Sequence, residues 1–150
     1  MMGHDFKTFP ELTNSQMEIY YFESPHRQIT EDFRARVVKV TDGDTIRVTC
    51  SFRDFNFPIR FLEINAPEMS EGGRNAKDWL SEKILNEEVD VIMKNSNRVD
   101  KWGRLLGRIF HRGMDMGQMM MLLGLAVSFE GRNEGKLPSI EKELAVRQWL

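Results

Sequence analysis

Two carboxylates separated by a single glycine stand in the segment Asp42-Gly43-Asp44-Thr45. The residues before and after it alternate as strands do, so the segment joins two predicted strands. Two carboxylates at such a junction can aim at a common point, and oxygen-rich clusters of this kind suit a hard cation such as Ca²⁺. An Asp-Gly pair is also the commonest hairpin signal, so a plain turn is the competing interpretation.

An arginine interrupts an apolar strand in the segment 59–68. Arg60 points away from the hydrophobic side, and Asn65 and Glu68 follow where the strand ends. A guanidinium meets phosphate oxygens through a rigid two-pronged fork. The alternatives are a solvent-facing Arg60 on a half-exposed sheet and a Glu68 that merely precedes a helix.

An aromatic ring flanked by two cations forms a predicted turn over residues 100–104. Lys101 and Arg104 stand beside Trp102, whose ring can stack on a base while the cations meet phosphate. A charged hairpin with Trp102 packed against the sheet is the alternative. A fourth segment, residues 123–126, leaves a helix and returns to the sheet, and it is structural on either interpretation.

Composition narrows the class of protein. A chain of 150 residues suits one domain. Cys50 is the only cysteine, which excludes an intramolecular disulfide and a cysteine-based zinc site. The net charge of −2 argues against a protein that coats nucleic acid through bulk positive charge. Residues 94–112, however, carry six basic residues against one acidic residue, so a phosphate-bearing ligand would prefer this stretch, and a solvated charged face is the alternative.

Compartment and assembly are less constrained by the sequence. No apolar run approaches the roughly 18 residues of a membrane span, so we expect no membrane partner. No signal peptide is visible at the N-terminus, which leaves a cytoplasmic protein or a secreted one without its leader. We expect a monomer.

Hydrophobic periodicity places these segments on a barrel. The predicted strands are Phe33–Thr41, Thr45–Phe52, Phe55–Ile64, Val89–Met93 and Leu105–Phe110. Helices are predicted over 73–86, from Asp115 to Gly124, and over about 139–150. Residues 1–32 are predicted to form an N-terminal arm, partly ordered, in which only Met17–Phe22 has the pattern of a short strand. The order predicts an α+β fold over residues 33–150, a five-stranded Greek-key OB barrel with about three packed helices.

In order and spacing, the four segments resemble the staphylococcal nuclease (thermonuclease) family. That family shows Asp-Gly-Asp-Thr, then Arg-Leu-x-x-x-Asp-x-Pro-Glu, then Asp-Lys-Tyr-Gly-Arg, then Gly-Leu-Ala. The resemblance runs from about Phe33 to Phe129. It implies a metal-dependent phosphodiesterase, an endonuclease or exonuclease that uses Ca²⁺ and cleaves DNA, RNA or both to 3′-phosphate products.

The resemblance also implies residue roles at the reacting phosphate. Arg60 and Arg104 match the family's two catalytic arginines. Glu68 matches the glutamate that activates the attacking water or orders the nearby loop. Lys101 and Trp102 match the basic and aromatic positions beside the bound nucleotide.

The implied calcium site departs from the family at one ligand. The family's ligands match Asp44, Asn65 and the backbone carbonyl of Ala66. Asp42 matches a residue that stands next to the ligands without binding the ion. The family usually has aspartate where this chain has Asn65, and one unit charge ~4 Å from another is worth about 4 kcal/mol at an effective dielectric constant near 20. We therefore expect weaker binding of Ca²⁺ unless Asp42 or Glu63 compensates, although Glu63 also fits an exposed position at the rim.

Two other classes of function remain open. The first is a non-catalytic OB-fold module that binds nucleic acid or a protein partner, and Asn65 is its best support. The second makes Arg60 and Trp102 structural parts of the barrel, with residues 1–32 as a docking arm. The joint presence of Arg60, Glu68 and Arg104 favours the enzyme, since a binding module does not need all three.

Overall fold

The structure is a computed structural model that describes residues 3–67 and 73–128. Its strands are β1 Phe33–Asp42, β2 Thr45–Cys50, β3 Arg53–Phe61, β4 Ile64–Asn65, β5 Glu88–Ile92, β6 Leu105–His111, β7 Met114–Asp115 and β8 Val127–Ser128. Antiparallel pairing joins β3, β2, β1, β5 and β6 in that order, and a parallel pairing of β3 with β6 closes the ring. The predicted five-stranded barrel of the α+β class is confirmed.

Among the residues that the structure describes, three helices accompany the barrel: α1 Asn14–Tyr20, α2 Gly73–Ile84 and α3 Met116–Leu122. The helices α2 and α3 confirm two of the predicted helices, and Asp115 caps α3 by accepting a hydrogen bond from the Gln118 amide. The predicted helix at about 139–150 lies outside the described residues. Within the described ranges, no helix combines the length and the apolar character that crossing a bilayer requires.

Alternating apolar side chains fill the barrel, as the strand pattern predicts. The fully buried ones include Val37, Ile46, Val48, Ile59, Val91, Leu105 and Ile109. Helix α2 packs against β1 and buries Ala76, Leu80 and Ile84, which recur every four residues along one face. This helix therefore covers the barrel beside the turn between β1 and β2.

The predicted strand over Met17–Phe22 is wrong, because this segment lies in helix α1 and a 3₁₀ turn over Tyr21–Glu23. Thr13 caps the helix by accepting a hydrogen bond from the Gln16 amide, and the Gln16 side chain accepts one from the Thr13 amide in return. This reciprocal capping box satisfies backbone donors that would otherwise lack partners. The boundary between an arm of residues 1–32 and a domain of residues 33–150 stays a prediction.

The predicted third strand, Phe55–Ile64, is wrong at its C-terminal end. β3 ends at Phe61, and Glu63 adopts a left-handed backbone conformation with φ of 65°. The chain turns there and starts the separate strand β4, which pairs with β8 instead of a barrel strand. This turn brings Asn65 back toward the end of β1.

Candidate active site

A cavity of about 770 Å³ gathers side chains from three separate parts of the chain. The turn after β1 contributes Asp42 and Asp44, β3 and the segment after it contribute Arg60, Asn65 and Ala66, and the connection before β6 contributes Lys101, Trp102 and Arg104. Glu68 lies outside the described residues. Every other predicted site residue therefore lines one cavity.

Gly43 lets the acidic turn lie close to its neighbours. A Cβ atom at this position would stand 2.6 Å from the Cβ atoms of both Ala66 and Ala76, which is closer than carbon atoms can approach. The turn is therefore wedged between the segment after β4 and helix α2. Small residues at three positions fix the placement of Asp42 and Asp44.

The side chain of Asp44 joins the acidic turn to the segment after β4. Its Oδ2 accepts a hydrogen bond of 2.9 Å from the Ala66 amide, and its Oδ1 accepts one of 3.2 Å from the Thr45 hydroxyl. Its own amide donates to Asp42 Oδ1 at 3.0 Å. These contacts hold both carboxylates in the lining of the cavity.

Arg60 is largely buried, with 11% of its side chain exposed. Its Nη1 donates to the carbonyls of Phe61 and Ile64 at 2.7 Å each, while Nη2 donates to Asn65 Oδ1 and lies 3.4 Å from Asp44 Oδ2. Burial lowers the pKa of Arg60, Asp44 opposes that shift, and Arg104 adds to it. The guanidinium stays charged in this setting, because arginine has the highest pKa of the side chains.

Arg104 is held by the turn on which it stands. Asp100 accepts hydrogen bonds from the Trp102 and Arg104 amides with one oxygen and from Arg104 Nε with the other, the last at 2.8 Å. Gly103 has φ of +82°, a conformation that favours glycine. The Arg104 side chain keeps 29% of its surface exposed, so part of the guanidinium faces the cavity.

Trp102 extends from this turn with 60% of its surface exposed. Lys101 Nζ lies 4.5 Å from the centroid of its ring and the Arg104 guanidinium carbon lies 5.3 Å from it. These distances fit cation–π contacts. The exposure contradicts the alternative in which Trp102 packs against the barrel, and it leaves ring surface for another flat group.

Thr45 is a residue of the site to which we gave no chemical role from its sequence. Its hydroxyl donates to Asp44 and lies 3.5 Å from Arg104 Nη1, so it stands between the acidic turn and the basic turn. Its place in the Asp-Gly-Asp-Thr segment was the available signal.

The oxygen donors at the acidic turn fit a hard divalent cation. Burial raises the pKa of Asp42 to about 6, and the neighbouring Asp44 contributes to the rise. Two carboxylates and the amide oxygen of Asn65 line the same cavity, and a divalent cation would offset the repulsion between the carboxylates. Among the described residues, three or more His, Cys, Asp or Glu side chains converge nowhere. Carboxylate and amide oxygens are ligands of the kind that a hard divalent cation prefers.

Two charged residues of the sequence analysis have other partners. Arg98 belongs to the basic stretch 94–112, yet only 4% of it is exposed, because it is buried against Glu11. Glu63 lines the cavity, but its carboxylate lies 2.8 Å from Arg108 and 3.6 Å from Lys94. Glu63 thus neutralises basic side chains and does not join Asp44.

Comparisons with known proteins find one matching family model and several proteins of similar sequence. The sequence model of a family described as staphylococcal nuclease homologue matches residues 58–146, more than half of the chain. The chain is 34% identical over 115 residues to an uncharacterized endonuclease of Escherichia coli O157:H7, a match that covers 75% of this chain and 72% of that protein. It is 36% identical over 80 residues to a micrococcal nuclease of Shigella flexneri, which covers 53% of this chain and 43% of that protein.

Proposed function

The chain belongs to the staphylococcal nuclease homologue family and is a nuclease, and from that premise we propose that it hydrolyses DNA, RNA or both in a Ca²⁺-dependent reaction. The observation that carries this proposal is the convergence of Arg60, Arg104 and the acidic turn on one cavity. We further propose that the protein acts as a monomer and leaves 3′-phosphate products.

The two arginines would bind the phosphate that is cleaved. Attack of water on a phosphodiester places extra negative charge on the non-bridging oxygens of phosphorus. Arg60 and Arg104 would donate hydrogen bonds to these oxygens, and each guanidinium supplies two parallel donors. Because the charge is greater in the transition state than in the substrate, each such donor contributes roughly 10²–10³ in rate.

The cation site would adjoin these donors. Asp44, Asn65 and the carbonyl of Ala66 would hold Ca²⁺, with Asp42 behind them. When bound, the ion would polarise the phosphate and offset its charge. Asn65 contributes an oxygen without a negative charge, so we expect weaker binding of the ion than an aspartate would give.

The remaining proposed roles concern the attacking water and the nucleobase beside the cleaved phosphate. Glu68 would accept a proton from the attacking water or hold it in place. The new bond joins the water oxygen to phosphorus, the bond to the 5′ oxygen breaks, and the departing 5′ oxygen gains a proton from solvent to leave as a hydroxyl group. Trp102 would stack on a neighbouring base, while Lys101 would meet an adjacent phosphate.

An assay on single-stranded DNA with Ca²⁺ or with a chelator tests the proposal. We expect cleavage that needs Ca²⁺, and an Asn65→Asp variant that binds Ca²⁺ at least roughly tenfold more tightly in a calorimetric titration, because a second charge faces the ion. Arg60→Ala should lower the rate of cleavage by at least roughly 10²–10³-fold, because the phosphate loses one guanidinium donor.

The same assay separates the enzyme from a binding module, the alternative that Asn65 favours. A wild-type protein that binds DNA without cutting it, in Ca²⁺ and in chelator alike, would contradict the proposal. If Asn65→Asp then produced cleavage, the natural chain would be a nuclease that has lost its cation site.

A further inference from the structure

The turn that carries Arg104 is anchored at two separate places by the N-terminal segment, by which we mean residues 3–32. At the base of the turn, the Leu106 amide donates to the Arg98 carbonyl at 2.8 Å, and an isolated bridge pairs Val99 with Leu105. Residues 98–106 therefore form a closed loop with Gly103 near its tip. The N-terminal segment contacts both the base and the tip.

The base is anchored through a buried ionic cluster. Glu11, which is 1% exposed, forms ion pairs with Arg98 at 3.5 Å and with Arg53. The Arg98 guanidinium also donates to the carbonyls of Ile29 and Leu12. A buried cation with this many acceptors is costly to move, because displacement would strand charges away from water.

The tip is anchored through an aromatic ring. Phe9 lies against Gly103, where an added Cβ atom would stand 2.6 Å from Phe9 Cδ1. Gly103 directly precedes Arg104, and its amide donates to the Asp100 carbonyl at 3.0 Å. The Phe9 ring thus closes over the one residue of the turn that has no side chain.

The two anchors stand two residues apart in a segment that is itself fixed. Pro10 offers its carbonyl to Gln28 Nε2 at 2.9 Å and to a ring nitrogen of His26 at 2.7 Å. The Leu12 amide donates to Gln28 Oε1, and Leu12 is fully buried. Phe9 and Glu11 therefore move together with the remainder of the N-terminal segment.

We propose that Phe9 and Glu11 are positioning residues for Arg104. The N-terminal segment lies outside the barrel and holds in place the turn that forms one wall of the cavity, which we call the cleft. This inference rests on the proposed function in so far as it concerns catalysis. Arg60 needs no such support, because its hydrogen bonds go to residues 61–65 of its own strand and turn. Loss of the anchor should therefore affect the turn that carries Arg104 and should spare Arg60.

Phe9→Ala is the direct test, because Phe9 is 39% exposed and its loss should leave the protein folded. We expect kcat on single-stranded DNA with Ca²⁺ to fall about tenfold, since small misplacement of a catalytic group can cost up to about 100-fold. Phe22→Ala, an exposed aromatic of the same segment at 98% exposure, is the matched control and should leave kcat unchanged. Phe9→Leu should recover most of the rate.

Two further measurements distinguish positioning from a general loss of stability. Phe9→Ala should cost nothing more in an Arg104→Ala background, because a residue that acts only through Arg104 has no further effect once Arg104 is removed. Amide hydrogen exchange at Trp102 and Arg104 should quicken, while exchange at Phe61 on the opposite wall stays unchanged.

The inference is overturned if Phe9→Ala keeps full kcat with unchanged hydrogen exchange in the turn. It is also overturned if Phe9→Ala lowers kcat by the same factor in the Arg104→Ala background. A wild-type protein without cleavage would contradict the proposed function instead. The exchange rates would still report on the anchor in that case, since they do not depend on catalysis.

Discussion

The two arginines of the cleft are held in place by different parts of the chain. Arg60 stands on a barrel strand, and its guanidinium donates to backbone and side-chain oxygens within five residues of itself. Arg104 stands on a turn that is fixed internally by Asp100 and externally by Phe9 and by the Glu11–Arg98 pair. Two side chains with the same proposed chemistry therefore depend on the fold in different ways.

The comparison shows what a barrel can and cannot supply. Strand β3 positions Arg60 because it pairs there with β2 on one side and with β6 on the other. A connection between strands has no such support, and connections are generally the more mobile parts of a domain. Here the N-terminal segment supplies the missing contacts. The wall of the cleft that carries Arg60 is therefore formed by the barrel, whereas the wall that carries Arg104 is held by residues outside the barrel.

The largest expected effect comes from replacing either guanidinium while keeping its charge. Arg60→Lys and Arg104→Lys should each lower kcat roughly 10²–10³-fold, because an ammonium lacks the two-pronged donor geometry. Steady-state kinetics on single-stranded DNA measures the loss. A variant that keeps its rate within about threefold would remove that arginine from the proposed role.

A smaller effect, on stability, should test the buried ion pairs that anchor the turn of Arg104. Glu11→Gln should lower the free energy of unfolding by about 3 kcal/mol, because two buried guanidiniums lose their anionic partner. Glu31→Gln is the matched control, since Glu31 pairs with Arg27 at the surface and such pairs contribute at most about 1 kcal/mol. Urea denaturation measures both.

Equal unfolding free energies for these two variants would contradict a buried anchor at Glu11. Loss of stability without any change in the hydrogen exchange of the Asp100–Arg104 turn would show that the anchor supports the fold but does not support Arg104.

Local patterns predicted the barrel well because alternation along a strand directly reports which face is buried. The strand that begins at Thr45 and the helix that buries Ala76, Leu80 and Ile84 follow from that rule. Helix α1 was predictable too, since Thr13 and Gln16 have capping-box spacing, but the aromatic run that follows suggested a strand.

Other features depend on contacts that no local pattern reveals. Glu63 takes a left-handed conformation that glycine normally marks, and its carboxylate meets Lys94, just after β5, and Arg108 on β6. Glu11 and Arg98 are separated by 87 residues, so charge counting placed Arg98 with the phosphate-binding cations. The segments that line the cleft were predictable from their resemblance to a family. The contacts of Phe9 and Glu11 that anchor the turn of Arg104 were not.

If Arg60 and Arg104 act on the same phosphate, their contributions to kcat/KM must be coupled, and a double-mutant cycle measures this coupling. We expect the Arg60→Ala Arg104→Ala enzyme to be at least roughly tenfold more active than the product of the two single losses predicts, because groups that act as a unit are not additive. Losses that multiply fully would place the two arginines on different phosphates and contradict the account.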